Sequence, residues 1–251
     1  MNTVLITGCS SGYGLETARH FHDQGWRVIA TMRTPREDLL PASDRLVVLP
    51  LDVTKPESVA AALEASGPID ALVNNAGVGL AGAFEATPME RVRVIFETNT
   101  FGVMATTQAV VPRFRARGAG VIVNVTSSVA LAPMPLVAVY TASKTAIEGF
   151  TGSLAHELAG FGVRAKLVEP GYCPTTRFTA NTGVDEVAAM IPEAYRAFAA
   201  PLLAGLGTRG EVTTERDVAE AVFRAANDTS DQLRFPAGPD AVALAEAARA
   251  G

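Results

Sequence analysis

The chain contains little cysteine and little lysine. Two of its 251 residues are cysteines, Cys9 and Cys173, too few for a disulfide framework and typical of reduced thiols in a cytosolic protein. Its 21 basic residues divide into 18 arginines and three lysines, Lys55, Lys144 and Lys166. The 26 acidic residues leave a net charge of −5. Because the sequence has no basic tract, nucleic acid is not expected as its main partner.

Long hydrophobic runs are also lacking. The longest uncharged stretch, residues 118–143, is interrupted by Asn124, by Thr126, by two serines and by two prolines. A membrane span needs about 20 predominantly apolar residues, so this stretch does not predict one. The first eight residues carry no basic segment and do not resemble a secretory signal. We therefore expect a soluble, cytoplasmic protein without a membrane partner.

Short apolar runs alternate with helical stretches along the chain. Strands are predicted at 3–7, 26–31, 45–51, 70–75, 120–126 and 163–170, with a weak last strand at 232–236. Helices are predicted at 13–24, 56–66, 88–116, 138–160, 214–227 and 239–249. Near-continuous hydrophobicity suits strands buried on both faces. The pattern predicts an α/β fold, a doubly wound parallel sheet of about seven strands in one domain over 1–251.

Two further features concern helix starts and a long connection. Thr54, Thr87 and, more weakly, Thr214 each stand three residues before a carboxylate and are predicted to cap the helices that follow. Residues from about 172 to 212 lack strand patterning and are too long for an ordinary connection. We expect them to form a functional flap over the substrate.

A glycine-rich loop directly follows the first predicted strand and opens the first helix. In Thr7-Gly8-Cys9-Ser10-Ser11-Gly12-Tyr13-Gly14, the first glycine suits a tight turn and Gly12 lets a pyrophosphate approach the backbone. Gly14 lets the helix and strand pack closely, and the phosphates then sit at the positive helix end. An ordinary glycine turn is the alternative. The position after a buried strand favours a dinucleotide site.

The spacing TGxxxGxG and the motifs that follow it resemble the short-chain dehydrogenase/reductase family, in its short single-domain branch. The motifs occur in the family's order across essentially the whole chain. They are Asn74-Asn75-Ala76-Gly77 after the fourth strand, Asn99 in the long helix, Ser127 after the fifth strand, Tyr140 to Lys144, and Pro170-Gly171 with Thr175 close behind. The resemblance implies a hydride-transferring enzyme with a nicotinamide cofactor.

Four residues make up the expected catalytic set. Tyr140 and Lys144 lie four apart, so a helix places both on one face, and a nearby ammonium should lower the pKa of the phenol. Tyr140 would then be the general acid in carbonyl reduction and the general base in alcohol oxidation. Ser127 offers a hydroxyl to the substrate carbonyl. The resemblance implies that Lys144 also holds the nicotinamide ribose, and that Asn99 bends its helix and holds a water. Ordinary packing roles remain the alternative.

The residues after the second strand bear on the choice of cofactor. Met32 occupies the slot where an enzyme for NAD(H) needs an acidic residue, and Arg33 follows it. A guanidinium at this place suits a 2′-phosphate, and the hydroxyls of Ser10 and Ser11 can add hydrogen bonds. A merely solvated Arg33 is the alternative. The pattern favours NADP(H) over NAD(H).

The resemblance implies further cofactor contacts. Asp52 and Val53 are expected to flank the adenine, although Asp52 also suits a turn before the Thr54 cap. Asn74 is expected to tie strands together, while Ala76 and Gly77 leave room for the ribose. The remaining residues expected in the cofactor site are Tyr13, Asn75, Pro170, Gly171 and Thr175.

Apolar residues dominate the segments expected to face the substrate. The flap carries Phe178, Met190, Ile191, Tyr195, Phe198, Leu202 and Leu203, and residues 131–139 have almost no polar side chain. Such walls favour a lipophilic ketone or secondary alcohol, although the same residues could simply pack the flap onto the core. We therefore expect an NADPH-dependent carbonyl reductase working in both directions.

Two other functions remain open at this point. A 3-oxoacyl thioester reductase would need a basic patch for an acidic carrier, and a non-catalytic NADPH sensor would not need the catalytic set. The resemblance also implies a homodimer or homotetramer paired through helices 88–116 and 138–160. The three histidines, His20, His22 and His156, lack metal-ligand spacing. Cys9 and Cys173 both belong to segments expected at the cofactor cleft, which suggests that thiol reagents inactivate the protein and that cofactor protects it.

Overall fold

Seven strands form one parallel sheet in the computed structural model, which describes residues 1–176, 187, 189–206 and 211–250. The strands are β1 (Thr3–Ile6), β2 (Arg27–Met32), β3 (Leu46–Pro50), β4 (Ala71–Asn74), β5 (Gly120–Val125), β6 (Val163–Pro170) and β7 (Arg234–Ala237). Their order across the sheet is β3-β2-β1-β4-β5-β6-β7, with every neighbouring pair parallel. The expected doubly wound sheet is therefore confirmed, including its weak last strand.

Helices cover both faces of this sheet. They are α1 (Gly12–Asp23), α2 (Pro56–Ser66), α3 (Met89–Phe96), α4 (Gly102–Arg117), α5 (Ala138–Ala159), α6 (Glu193–Leu206), α7 (Glu215–Asn227) and α8 (Pro239–Ala250). The single helix predicted over 88–116 is divided by a π-helical turn at Glu97–Phe101, and α6 was not predicted as an element of its own. Within the described ranges no helix is long and apolar enough to cross a membrane.

Alternate residues of each strand feed the two helical layers. Val4 and Ile6 of β1 pack into a core with α1 and α7, whereas Leu5 packs into the opposite core with α2, α4 and α5. This is the period-two alternation of a strand with both faces buried. It explains why the strands contain apolar residues at almost every position.

The strand order reverses at β1, which lies between β2 and β4. The chain therefore leaves the carboxyl ends of β1 and β4 in opposite directions and opens a crevice between the two connections. The loops that carry the motifs begin at this edge of the sheet, after β1, β4, β5 and β6. The topology thus gathers residues that are far apart in sequence.

A buried lysine fixes the connection from α7 to β7. Lys166 of β6 is 2% exposed, and its ammonium donates to Asp228 Oδ1 at 2.8 Å and to the carbonyls of Ser230 and Gln232 at 2.6 and 2.7 Å. Its three donors thus have three acceptors. We interpret Lys166 as a structural residue that holds β7 at the sheet edge.

Only one of the three predicted threonine caps is present. Thr214 Oγ1 accepts from the backbone N–H of Asp217, whose carboxylate accepts from Thr214 N, a complete capping box. Thr54 instead donates its hydroxyl to Asp52, and Thr87 donates to the carbonyl of Ala83. These two predictions were wrong because a nearer acceptor takes each hydroxyl.

Replacing the cap tests this difference. We expect Thr214→Ala to lower the free energy of unfolding by about 1 kcal/mol, because the α7 N-terminus loses its side-chain acceptor. Thr54→Ala is the matched control, since Thr54 is likewise exposed and precedes a helix without capping it, and this variant should cost less. Urea denaturation followed by circular dichroism measures both. Equal losses for the two variants would contradict the assignment.

Candidate active site

A cleft of about 680 Å³ lies at the carboxyl edge of the sheet, where the strand order reverses. Most residues expected to bind the cofactor line it: Gly8, Ser10, Ser11, Gly12, Tyr13, Arg33, Asp52, Val53, Asn75, Ala76, Gly77, Tyr140 and Lys144. Lining residues that the sequence analysis missed are Leu51, Thr54, Val78, Gly79, Val94, Glu97, Thr98, Val125, Thr126 and Thr176. Most of the missed residues directly adjoin a motif or a strand end and carry no pattern of their own.

The glycine loop is shaped for close approach. Gly8 has a φ of +76°, and a Cβ there would lie 2.8 Å from Ala76 Cα, so a side chain does not fit. The helix α1 begins at Gly12, its first turn has no acidic residue, and Ser11 at its N-cap uses no side chain to cap it. The first backbone N–H groups of α1 therefore point toward the cleft without a capping side chain. This arrangement fits the phosphates of a dinucleotide.

The loop after β4 is tied to the glycine loop through Thr7. Its Oγ1 accepts from the backbone N–H groups of Asn75 and Ala76, both at 3.0 Å, and Asn75 Nδ2 donates to Thr7 O at 2.9 Å. The neighbouring Asn74 donates to Asn124 Oδ1 of β5 at 2.9 Å and so ties strands together, as expected. Thr7 itself was not predicted to have this role. It holds the two loops that line the cleft in a fixed relation.

Arg33 and Asp52 lie where an adenosine would be expected. Arg33 is exposed and lines the cleft, and it forms no ion pair within the described part of the chain. Arg36, three residues further on, is paired with Asp38 at 2.6 Å. Burial opposes ionisation of Asp52, but hydrogen bonds from Thr54 outweigh it and lower the pKa of that carboxyl. Only Arg33 of the two arginines thus offers an uncommitted guanidinium to the cleft.

Tyr140 and Ser127 are hydrogen-bonded to each other at one end of the cleft. Tyr140 lies in the first turn of α5, and Ser127 follows β5, where its Oγ accepts from Val129 N at 3.4 Å. Burial raises the pKa of Tyr140 to about 12, and a hydrogen bond with the Ser127 hydroxyl works in the opposite direction. The expected lowering of the phenol pKa by Lys144 is therefore not found: desolvation dominates. The phenol is protonated at neutral pH.

Lys144 is a buried cation behind this phenol. It is 5% exposed, its Nζ lies 5.9 Å from the centre of the Tyr140 ring, and it donates to Val125 O at 3.0 Å. Burial lowers the pKa of Lys144 to about 8, while the Glu148 carboxylate opposes that change. Most of the ammonium therefore stays charged at neutral pH.

Asn99 lies in the π-helical turn and braces the loop after β4. Its Oδ1 accepts from Val78 N at 2.8 Å, and its Nδ2 donates to Val78 O at 2.9 Å and to Ser143 Oγ at 3.2 Å. A Cβ at Gly77 would lie 3.3 Å from Asn99 Oδ1 and 3.5 Å from Lys144 Nζ. The glycine therefore keeps this space beside the ammonium free.

Four of the predicted cofactor-binding residues lie beside the cleft rather than in its wall, and the predicted catalytic residues Asn99 and Ser127 are not part of the wall either. Gly14 is packed against the carbonyl of Gly8, and Gly171 is packed against Asp240 and donates its N–H to Ala237 O at 3.1 Å. Pro170 ends β6, and Thr175 donates to Glu215 Oε1 at 2.8 Å. Thr176, one residue further along, lines the cleft instead.

The flap is only partly described. Phe178 lies outside the described residues. Met190 is buried against Leu80, Ile95 and Val139, so it packs the flap onto the body of the protein. Phe198, Leu202 and Leu203 of α6 are exposed by 51%, 37% and 45%. Of the predicted apolar flap residues that are described, Met190 is packed, Ile191 and Tyr195 are half-buried, and the other three are exposed.

This sheet topology and glycine loop define a Rossmann-like protein. The sequence profile described as short chain dehydrogenase matches residues 2–186. The chain belongs to this family and is a dehydrogenase/reductase.

Curated relatives agree with the family assignment. An uncharacterized oxidoreductase of Bacillus subtilis is 36% identical over 252 residues, which cover 94% of this chain and 88% of that protein. Human retinol dehydrogenase 8 is 43% identical over 180 residues, which cover 67% of this chain and 58% of that protein. The matched region thus spans little more than half of the human enzyme.

Solved structures share the whole fold. A short-chain dehydrogenase from Streptomyces avermitilis has a TM-score of 0.82 at 32% identity, over 99% of this chain and 93% of its own. One from Burkholderia cenocepacia in complex with NADP has a TM-score of 0.77 at 27% identity, over 99% and 93%. One from Burkholderia phymatum in complex with NAD has a TM-score of 0.81 at 25% identity, over 99% and 92%. Such neighbours bind either nicotinamide cofactor.

The described residues contain no cluster of metal-ligating side chains, and both cysteines are buried. Burial raises the pKa of the Cys9 thiol to about 12, and burial also raises the pKa of Cys173. Thiolate is the reactive form of cysteine, so these environments oppose reaction. The suggestion that thiol reagents inactivate the protein is therefore not supported.

Alkylation measures this directly. We expect iodoacetamide at pH 7.5 to leave both cysteines unmodified in the folded protein, with or without cofactor, because both thiols are buried and burial raises the pKa of each. In guanidinium chloride both should react within the same period, which serves as the control. Intact mass spectrometry counts the adducts. Rapid labelling of folded Cys9 would contradict the expected protection.

Proposed function

We propose that the protein is an NADP(H)-dependent oxidoreductase that interconverts a lipophilic ketone and a secondary alcohol. The observation that carries the proposal is the placement of Tyr140 and Lys144 in the wall of one cleft, with Ser127 hydrogen-bonded to the phenol. A nicotinamide cofactor, when bound, supplies or accepts the hydride. The non-catalytic sensor is disfavoured because a site without turnover does not need this set.

The side chains divide the remaining chemistry among them. Tyr140 holds its proton at neutral pH and donates it to the carbonyl oxygen as that oxygen gains charge; in the reverse direction its phenolate accepts the alcohol proton. Ser127 donates a hydrogen bond to the same oxygen and so orients it. The Lys144 ammonium stabilises negative charge on Tyr140 from beneath the ring. Asn99 forms two hydrogen bonds with the backbone of Val78 and so fixes the position of the loop beside Lys144.

Arg33 supports the choice of NADP(H). It is exposed at the cleft wall next to Met32, and no carboxylate occupies the slot that NAD(H) requires. Ser10 and Ser11 lie in the same wall and can donate to a phosphate. The Burkholderia cenocepacia relative bound to NADP is consistent with this choice.

The apolar surroundings support a lipophilic substrate. Residues 131–137 between β5 and α5 are mostly apolar, and Phe198 and Leu202 of α6 are exposed. The name of one relative, retinol dehydrogenase 8, refers to a lipophilic alcohol. The 3-oxoacyl thioester reductase would in addition need a basic patch for an acidic carrier, and the described structure gives no specific support for one. A panel that includes both kinds of substrate separates these functions.

The role of Tyr140 as the acid/base residue can be tested by removing its hydroxyl. We expect Tyr140→Phe to lower kcat for ketone reduction by about 10²- to 10⁴-fold with cofactor binding retained, because the variant has no proton to donate. NADPH oxidation is followed at 340 nm with aliphatic and aromatic ketones and a 3-oxoacyl thioester. A Tyr140→Phe enzyme with full activity would falsify the catalytic assignment.

The neighbouring serines provide a matched control. Ser127→Ala should lower kcat, since the carbonyl loses a hydrogen-bond donor, whereas Ser128→Ala should keep wild-type activity. Both hydroxyls are buried and follow β5, so loss of packing alone affects them alike. Equal losses of kcat in Ser127→Ala and Ser128→Ala would show that the effect is structural.

The preference for NADP(H) over NAD(H) can be tested at Arg33. We expect Arg33→Ala to raise KM for NADPH by about tenfold or more and to leave KM for NADH nearly unchanged, because only the former has a 2′-phosphate. Arg36→Ala is the control, since Arg36 is already paired with Asp38. Initial rates of the wild-type enzyme and of both variants, measured with each cofactor, give the KM values to be compared. A parallel change in both KM values for Arg33→Ala would refute the preference for NADP(H).

A further inference from the structure

An ionic cluster with two buried carboxylates and a partly exposed arginine lies near Lys144. Glu148 of α5 is 6% exposed and Glu169 of β6 is fully buried, and Arg234 of β7 forms an ion pair with both through the same nitrogen, Nη1. Glu148 Oε1 also accepts from Thr126 Oγ1 at 2.5 Å. The proposed catalytic set uses none of these three charged groups. Burying two carboxylates is costly, so their presence calls for a physical reason.

Glu148 continues the catalytic face of α5. Tyr140, Lys144 and Glu148 are spaced four residues apart, so they lie one above another along the helix. Thr126, which binds Glu148, also lines the active-site cleft and lies next to Val125, whose carbonyl accepts from Lys144. The cluster is thus continuous with the site through one helix face and one strand end.

Two cations and two acids lie in the region around Lys144, and their charges balance only when all four groups are counted together. The cations are Lys144 from α5 and Arg234 from β7, and the acids are Glu148 from α5 and Glu169 from β6. Arg234 is shared between the two acids, whereas the described hydrogen-bond partner of Lys144 is the neutral carbonyl of Val125. The remaining titratable neighbour of Lys144 is the Tyr140 phenol, and Thr126 and Asn99 contribute only neutral groups. Glu148 is therefore the carboxylate placed to balance the ammonium.

We infer that Glu148 is a positioning residue whose buried carboxylate keeps the neighbouring Lys144 ammonium charged. The inference rests on the proposed function only for the role of that ammonium in catalysis. Arg234 holds the carboxylate in place from the other side and pairs with Glu169 as well. The cluster thus sets how much positive charge lies behind Tyr140 at a given pH.

The pKa directions agree with this arrangement. Burial lowers the pKa of Lys144 to about 8, and Glu148 is the group that opposes it. Burial and the charge of Glu148 raise the pKa of Glu169 to about 7, against the effect of Arg234. Near neutral pH Glu169 thus takes up a proton more readily than an ordinary glutamate. Without Glu148, the Lys144 pKa should fall further below its usual value, and the ammonium should lose its proton at lower pH.

The scarcity of lysine permits a direct test. With lysine 13C-labelled at Cε, the whole protein gives signals from only Lys55, Lys144 and Lys166, which Lys→Arg variants assign. Titration by NMR then reports the midpoint of each ammonium. We expect Glu148→Gln to lower the Lys144 midpoint by about one pH unit or more and to leave exposed Lys55 unchanged. The alkaline limb of kcat should move down with that midpoint.

Glu169→Gln is the matched control. It makes the same chemical change in the same cluster but keeps the Glu148 charge, so the Lys144 midpoint should stay within about 0.3 pH unit of wild type. An unchanged midpoint in Glu148→Gln, or an equal fall in Glu169→Gln, overturns the inference. Since the titration needs no turnover, a fall without any ketone reductase activity would reject the proposed function and keep the role of Glu148.

Glu148→Asp keeps the test decisive if the glutamine variant does not fold. Its carboxylate lies one methylene further from Lys144, so the midpoint should fall by part of the full effect, and an unchanged midpoint again overturns the inference. Circular dichroism checks the fold of each variant. A purely structural role for Glu148 lowers stability in the glutamine variants without moving the Lys144 midpoint.

Discussion

The buried ammonium of Lys144 is the constraint on which the rest of the site depends. A cation that is 5% exposed needs acceptors and a counter-charge, and the fold supplies them from three strands and a helix. The carbonyl of Val125 at the end of β5 accepts directly, and Glu148 lies one turn further along α5. Arg234 of β7 in turn pairs with Glu148 and Glu169. The charged groups around Lys144 thus come from α5, β6 and β7.

The positions of the lysines in this chain reflect the same requirement, namely that a buried cation needs acceptors. Of the three lysines, Lys144 and Lys166 are buried and only Lys55 is exposed. Lys166 meets three acceptors with the compact donor group that an ammonium provides, whereas a planar guanidinium has a different geometry. Many arginines, by contrast, cover the surface. The two buried lysines therefore occupy positions where the shape of the cation matters, whereas Lys55 is exposed.

The fold could be predicted from the sequence because its signals are local. Near-continuous apolar runs identify strands buried on both faces, and the order of the motifs gives the loops at the carboxyl edge. The prediction of helix caps at Thr54 and Thr87 was wrong, because acceptors at Asp52 and Ala83 compete for the hydroxyls. The π-helical turn around Asn99 has no periodic signal of its own. The family resemblance alone indicated a bend there.

The cluster of Glu148, Glu169 and Arg234 escaped prediction for a different reason. Its members are separated by 21 and 65 residues, and only the parallel order of β5, β6 and β7 brings them together. A glutamate in the apolar run of β6 was the available signal, since an acid between buried strands needs a partner.

Desolvation and hydrogen bonding act in opposite directions on Tyr140. Burial keeps its phenol protonated, which is the form that the proposed carbonyl reduction uses, and the hydrogen bond with Ser127 works against that effect. In the proposed mechanism, the Lys144 ammonium behind the ring favours the phenolate once the proton has left. The polar partners of Tyr140 then determine that chemistry together with the side chain that transfers the proton.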